Sequence, residues 1–195
     1  MKSFRILLMS AALMPALLVC CNHHAFAQAD GQTSGSQQSY AQRSFDLMKS
    51  FAGEWQGAVA AEPPSPMVPA GTQVHVTMRI TSRGNALVHE MQAPGTPLDP
   101  TKYDHPVTMI YLDGGQLNLV HYCDAGNRPH MIARPSADGK TIEFDFVDLS
   151  GGNQFGHMYH AVFTAVDANH HTEDWTFIMP GDKPMHAHMD LKRVN

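Results

Sequence analysis

Cysteine, clustered positive charge and long apolar runs are scarce in this chain, and each scarcity excludes something. Of 195 residues three are cysteines, and Cys20 and Cys21 both lie in the N-terminal stretch that precedes Gln28. If that stretch is removed, Cys123 stands alone, no intramolecular disulfide is possible, and the domain must be held by its core. Thirteen Lys and Arg face eighteen Asp and Glu, for a formal charge of −5, and the basic residues form no cluster. This excludes nucleic acid and anionic membrane surfaces as electrostatic partners. The longest apolar run, Ile6 to Val19, falls short of the roughly 20 residues a spanning helix needs, so no transmembrane span is expected. Gly-x-Ser-x-Gly, phosphate-loop and His-Glu-x-x-His patterns are also missing, which leaves enzyme chemistry without a recognisable motif.

What is present begins with an export pattern. Lys2 and Arg5 precede the apolar run, and Ala25-Phe26-Ala27 supplies a small-x-small cleavage site before Gln28. Residues 1–27 are therefore expected to be a signal peptide, and the rest periplasmic or secreted after cleavage near Ala27. Lipid anchoring at Cys20 or Cys21 is the alternative, although neither is preceded by the small residue a lipobox uses. From Gln28 to Arg43 the composition is Gln, Ser, Gly, Ala and Thr, which reads as a disordered linker over 28–43 ahead of a single domain over 44–195.

In that domain Ser44 can cap a short helix carrying Phe45, Leu47, Met48 and Phe51, stopped by Gly53. Short alternating segments follow to the end of the chain. In Thr72 to Arg83, Val74, Val76, Met78 and Ile80 alternate with His75, Thr77, Arg79 and Thr81. The most specific local signal is Val107 to Met131, where two apolar runs flank Asp113-Gly114-Gly115. A two-residue turn there puts Thr108, Ile110 and Leu112 on one face with Leu117, Leu119, His121 and Cys123, while a three-residue turn would break that shared face. About ten strands and one convincing helix predict an all-β fold, an antiparallel up-and-down barrel of about 8 to 10 strands or a sandwich. Two proline-rich loops interrupt the pattern, Glu62 to Pro69 and Pro94 to Pro106, and long loops in compact domains are often functional.

The opening helix, Gly53-Glu54-Trp55-Gln56-Gly57, the strand meander and the ending Leu191-Lys192-Arg193 resemble the calycin-like group: lipocalins, fatty-acid-binding proteins and nitrobindins. Pro94 to Pro97, the run Thr108 to Met131 and Asp174 to Phe177 look like a group of uncharacterised secreted bacterial lipocalin-like proteins. The resemblance implies a lipocalin-like barrel in which Gly53, Trp55 and Gly57 form the opening motif and Arg193 packs on Trp55 to close the base. The nitrobindin side of it would imply haem on a late, inward histidine.

The residues themselves support a pocket better than a catalyst. His171, Glu173, Trp175, Phe177 and Met179 share a strand face that grades from polar to aromatic, as a wall from mouth to interior would. The first four of these, with Ile110, Leu119, His121 and Cys123, are the expected lining for a small hydrophobic or amphipathic ligand, unless side chains fill the barrel completely. His186 and His188 have chelate spacing, but the alternation turns both outward. His157 and His160, three apart, fall on opposite faces, as do His170 and His171, all read as surface or mouth positions. No cofactor or metal is assigned. The alternatives are haem or a metal at His121, or a small enzyme centred on His121 and Cys123, with Glu90 or Glu173 as the expected hydrogen-bond partner of His121.

Overall fold

The computed structural model describes residues 38–194. The expected signal peptide, the lipid-anchor alternative at Cys20 or Cys21 and the linker as far as Gln37 lie outside the described residues. Helix α1 spans Tyr40–Ser50 and is capped by Ser39, whose hydroxyl accepts from the Gln42 N–H at 3.2 Å. It therefore starts a turn before the expected cap at Ser44, which is buried on the inner face with Ala41, Phe45 and Met48. Gln38 and Gln42 both donate to Asp46 and Lys49 pairs with it, so local polar contacts extend a helix that the apolar periodicity shows only from Phe45.

Ten strands follow: β1 Gly53–Glu62, β2 Gln73–Thr81, β3 Ala86–Gln92, β4 Val107–Asp113 and β5 Gln116–Tyr122. The second half comprises β6 Arg128–Arg134, β7 Thr141–Ser150, β8 His157–Asp167, β9 His170–Met179 and β10 Lys183–Arg193. Each pairs antiparallel with its sequence neighbours, and β1 pairs with β10 from Trp55↔Arg193 to Glu62↔His186, closing the barrel. The all-β antiparallel barrel is thus observed, with ten strands and one helix. Closure leaves no edge strand, a stable solution for a sheet of this length.

The β4–β5 hairpin adopts the two-residue register. Asp113 pairs with Gln116 across Gly114 and Gly115, whose φ of 55° and 77° form the left-handed turn that glycine admits without strain. Ile110 then faces Leu119, and Thr108 faces His121.

In β2, Val74, Val76 and Met78 are buried, whereas Ile80 is exposed because its strand runs past the core into the turn Ser82–Gly84. A bulge in β8 between Met158 and His160 adds a residue, so His157 and His160, opposite Ile178 and Thr176, share the outer face. Simple alternation puts them on opposite faces, because a bulge inverts parity from that point onward.

The two ends of the barrel differ. The end carrying the tight turns is plugged by α1, with Phe45, Met48 and Phe51 buried against Trp55 and the strand interior. Arg193 lies over the Trp55 ring at 4.1 Å and donates to the carbonyls of Ala52 at 2.8 Å and Ser50 at 3.2 Å. Trp55 donates to the Phe51 carbonyl at 2.7 Å. Gly53 sits beside the Arg193 guanidinium, and a Cβ on Gly57 would run into the Asp190 carbonyl of β10. β1 and β10 can close the barrel only because residue 57 has no side chain. Gly57→Ala is expected to cost about 3 kcal/mol, the upper range for overpacking a tight site. Gly114→Ala, with open space around it, should cost only about 1 kcal/mol through its positive φ. Urea unfolding of the two variants measures the difference.

Candidate functional site

The interior is divided at Trp175. On the α1 side it is filled, and at its centre lies a fully buried carboxylate, Glu173. His89 Nε2 donates to Glu173 at 3.0 Å from Oε2, His171 Nε2 at 3.0 Å from Oε1, and Trp175 Nε1 at 2.9 Å from Oε2. The strands explain the convergence. β9 alternation points His171, Glu173 and Trp175 inward together, while β3 brings His89 across the barrel from 84 residues away. Burial alone would raise the Glu173 carboxyl, but the charge of His89 and the hydrogen bonds from His171 and His89 hold it well below the usual range. The Nδ1 atoms of both histidines are buried and unpartnered, so each ring meets a polar partner only through the Nε2 that faces the carboxylate.

His171 stacks on Phe51 with ring centroids 4.7 Å apart and meets Trp55 edge-on at 4.2 Å. It therefore belongs to the closed base. The polar-to-aromatic gradient on β9 runs opposite to expectation, with its polar end sealed beneath the plug and its apolar end toward the mouth. A polar side chain alone does not reveal whether water or a buried partner satisfies it.

His121 is also buried and is hydrogen-bonded through Nδ1 to the Thr108 hydroxyl at 2.8 Å, so its partner is neither Glu90 nor Glu173. Burial first, and the neighbouring His89 second, push its imidazole down to about 3. Its ring lies 5.6 Å from Trp175, and that of His89 lies 5.7 Å away on a tilted approach. Ile110 and Leu119 are fully buried in the same packed core. Cys123 does not share this face. It lies just past the end of β5 in an outer cleft with Pro100, Asp104 and Asp124. Burial pushes its thiol up, and the carboxylates of Asp104 and Asp124 push in the same direction. Such a thiol is a poor nucleophile, and the expected His121–Cys123 pair is not assembled.

On the other side of Trp175 the barrel is open. A cavity of about 330 Å³ lies at the end away from α1, within the range of small-molecule sites. Val59, Val74, Met91, Met158, Met189 and Ala187 form its wall, and Trp175 and Phe177 lie on β9 beside them. The two proline-rich loops flank the mouth, contributing Val68 from the first and Asp104 and Pro106 from the second, with Ala93 just before it. Of the residues expected to line a pocket, Trp175 and Phe177 do so. Ile110, Leu119, His121, His171 and Glu173 lie in the packed interior, and Cys123 lies outside it. The methionines and the loop residues escaped sequence reasoning because wall and core positions alternate identically along a strand. His89 escaped it because Ala86, Leu87, Val88 and His89 are all buried, which erases the alternation.

A haem does not fit this donor set. The cavity lining contains no histidine, and His121 is buried in the packed core away from that lining. His186 and His188 face outward, bonded to Thr176 at 3.0 Å and Asp174 at 2.6 Å. Among the described residues no group of three or more His, Cys, Asp and Glu side chains is arranged to hold a metal ion, and no helix is long and apolar enough to cross a membrane.

No protein-family model matches the sequence, and no curated protein matches it. Among solved structures the barrel is similar to a protein of unknown function of the DUF3598 family from Nostoc punctiforme, at 9% identity and a TM-score of 0.45. The match covers 75% of this chain and 49% of that one, so the chain spans about half the length of that protein.

The buried groups predict an acid-labile fold. Unfolded His121 takes up a proton near its ordinary 6.5, whereas the folded ring resists protonation down to about 3. Stability should therefore rise with pH across this window and fall by about 1.4 kcal/mol per pH unit on acidification below 6.5. Glu173 adds to the loss below its ordinary 4.5, because its folded carboxyl titrates lower still. Urea unfolding at successive pH values checks this, and His121→Gln is expected to flatten the segment between 6.5 and 4.5. An unfolding free energy independent of pH there would contradict it.

Proposed function

We propose that this is an exported binding protein that holds a small apolar or amphipathic molecule in the open end of its barrel. The observation that carries the proposal is the division at Trp175: one half of the interior is packed solid, and the other is an apolar cavity of about 330 Å³. A barrel closed only for stability has no need of the second half, because every unfilled volume in a core forfeits dispersion contacts. The construction of the floor supports the same reading. Trp175 is held by its N–H bond to Glu173 and braced by Phe163 at 5.5 Å, edge-on. An aromatic surface fixed in this way can receive a ligand without losing rotamer freedom of its own. Met91, Met158, Met185 and Met189 in the lining supply flexible, polarisable contacts that adapt to irregular shapes. Export rests on the leader pattern of residues 1–27, with the periplasm or the exterior as the destination.

Mass spectrometry of an organic extract of the purified protein, together with titration by the uncharged dye Nile red, tests the reading. A co-purified apolar molecule or saturable, stoichiometric dye uptake is expected. Failure of both in folded protein would overturn it. Ala187 faces Trp175 across β9 and β10 and lines the cavity, so Ala187→Phe is expected to fill the space and weaken dye binding at least tenfold.

A further inference from the structure

The charges around the cavity have one sign. No lysine, arginine or histidine lines it. Its one ionisable lining group is Asp104 at the rim, where Thr72, Gln73 and Gln92 add neutral polar side chains. Asp104 Oδ1 accepts from the Asp124 N–H at 3.1 Å, which fixes the carboxylate at the mouth. Asp124 lines an adjoining recess that shares Phe177 with the cavity. Below the floor Glu173 is already met by His89, His171 and the Trp175 indole, which leaves Asp104 as the carboxylate open to the cavity. Of the cations on the mouth loops, Lys102 is paired with Asp99 at 3.5 Å, and His105 lines the neighbouring clefts. A carboxylate at the rim of an apolar space of low dielectric acts on its contents more strongly than it would through water. An anionic head group at the rim would meet the Asp104 carboxylate, with no cation in the lining. An ammonium would meet Asp104 at the rim while its apolar portion reached Trp175.

We propose, building on the ligand-binding reading above, that the cavity takes an apolar chain or ring ending in a protonated amine, bound at Asp104, and discriminates against carboxylate-ended amphiphiles. Such a preference separates the protein from carriers of fatty-acid anions, which need a basic group in or beside the cavity to compensate the carboxylate.

Isothermal titration of the folded protein at neutral pH with decylamine, decanol and decanoate, each below its micellar concentration, tests the inference with a constant apolar portion and a changing head. Decylamine is expected to bind at least tenfold more tightly than decanoate and several-fold more tightly than decanol. Asp104→Asn, at an exposed rim position, is expected to narrow the amine-to-carboxylate ratio about tenfold. If decanoate or decanol binds as tightly as decylamine, the binding reading stands and the charge inference is overturned. A ratio unmoved by Asp104→Asn removes Asp104 from the site and overturns the inference as stated. If none of the three ligands binds to folded protein, the binding reading fails as well.

Discussion

A carboxylate enclosed in a barrel must either give up its charge or be surrounded by donors, because burying an unpaired ion costs far more than a single hydrogen bond returns. Glu173 takes the second course, and much of the interior follows from it. Its oxygens are met by two imidazoles and one indole, so β3 and β9 are tied to each other across the barrel interior. The indole that satisfies it is the floor of the cavity, and one of the imidazoles is stacked on the plug helix. Removing the carboxylate would leave three buried N–H groups without an acceptor, so the network survives or fails as a unit.

The closed end is a second self-consistent unit. Arg193 binds the carbonyls at the end of α1 with one face of its guanidinium over Trp55. It therefore serves as a C-terminal cap for the helix, a cation over an aromatic ring and a tie between the last strand and the first. Gly57 permits the close approach of β1 and β10 that makes this possible. With no disulfide among the described residues, the ring is held by hydrogen-bond ladders, the plug and the core. On the outside, histidines pair with carboxylates on adjacent strands, as His75 does with Glu54, His130 with Asp148 and His160 with Asp145. Such exposed pairs contribute little individually. They account for several histidines that otherwise invite a metal reading.

The same division explains where function can reside. Tight turns and the helix occupy one end, so the proline-rich loops that connect β1 to β2 and β3 to β4 are left to form the mouth. A filled base and a loop-framed opening give the barrel polarity, with rigidity beneath and adaptable side chains above. The arrangement suits a binding site, whose geometry depends on supports that do not move when the ligand enters.

The amino-acid sequence by itself determined the strands and an antiparallel all-β fold. Alternation in Val74 to Met78 and in His171 to Met179, glycine pairs at turns and the two-residue hairpin at Gly114 and Gly115 are local properties, set by backbone sterics and by the period of a pleated strand. Even the pairing of Ile110 with Leu119 follows from one turn. Tertiary structure alone decided what the inward residues do. Parity says that His121, His171, Glu173 and Trp175 point inward, but not whether they meet a partner, a plug or a void. That depends on residues far along the chain: His89 across the barrel, Phe51 beneath His171, and the loops that carry Asp104. A bulge at Tyr159 and a polar-capped first turn at Ser39 shifted further positions that local periodicity misplaced. Local sequence fixes direction, and only closure of the barrel fixes distance.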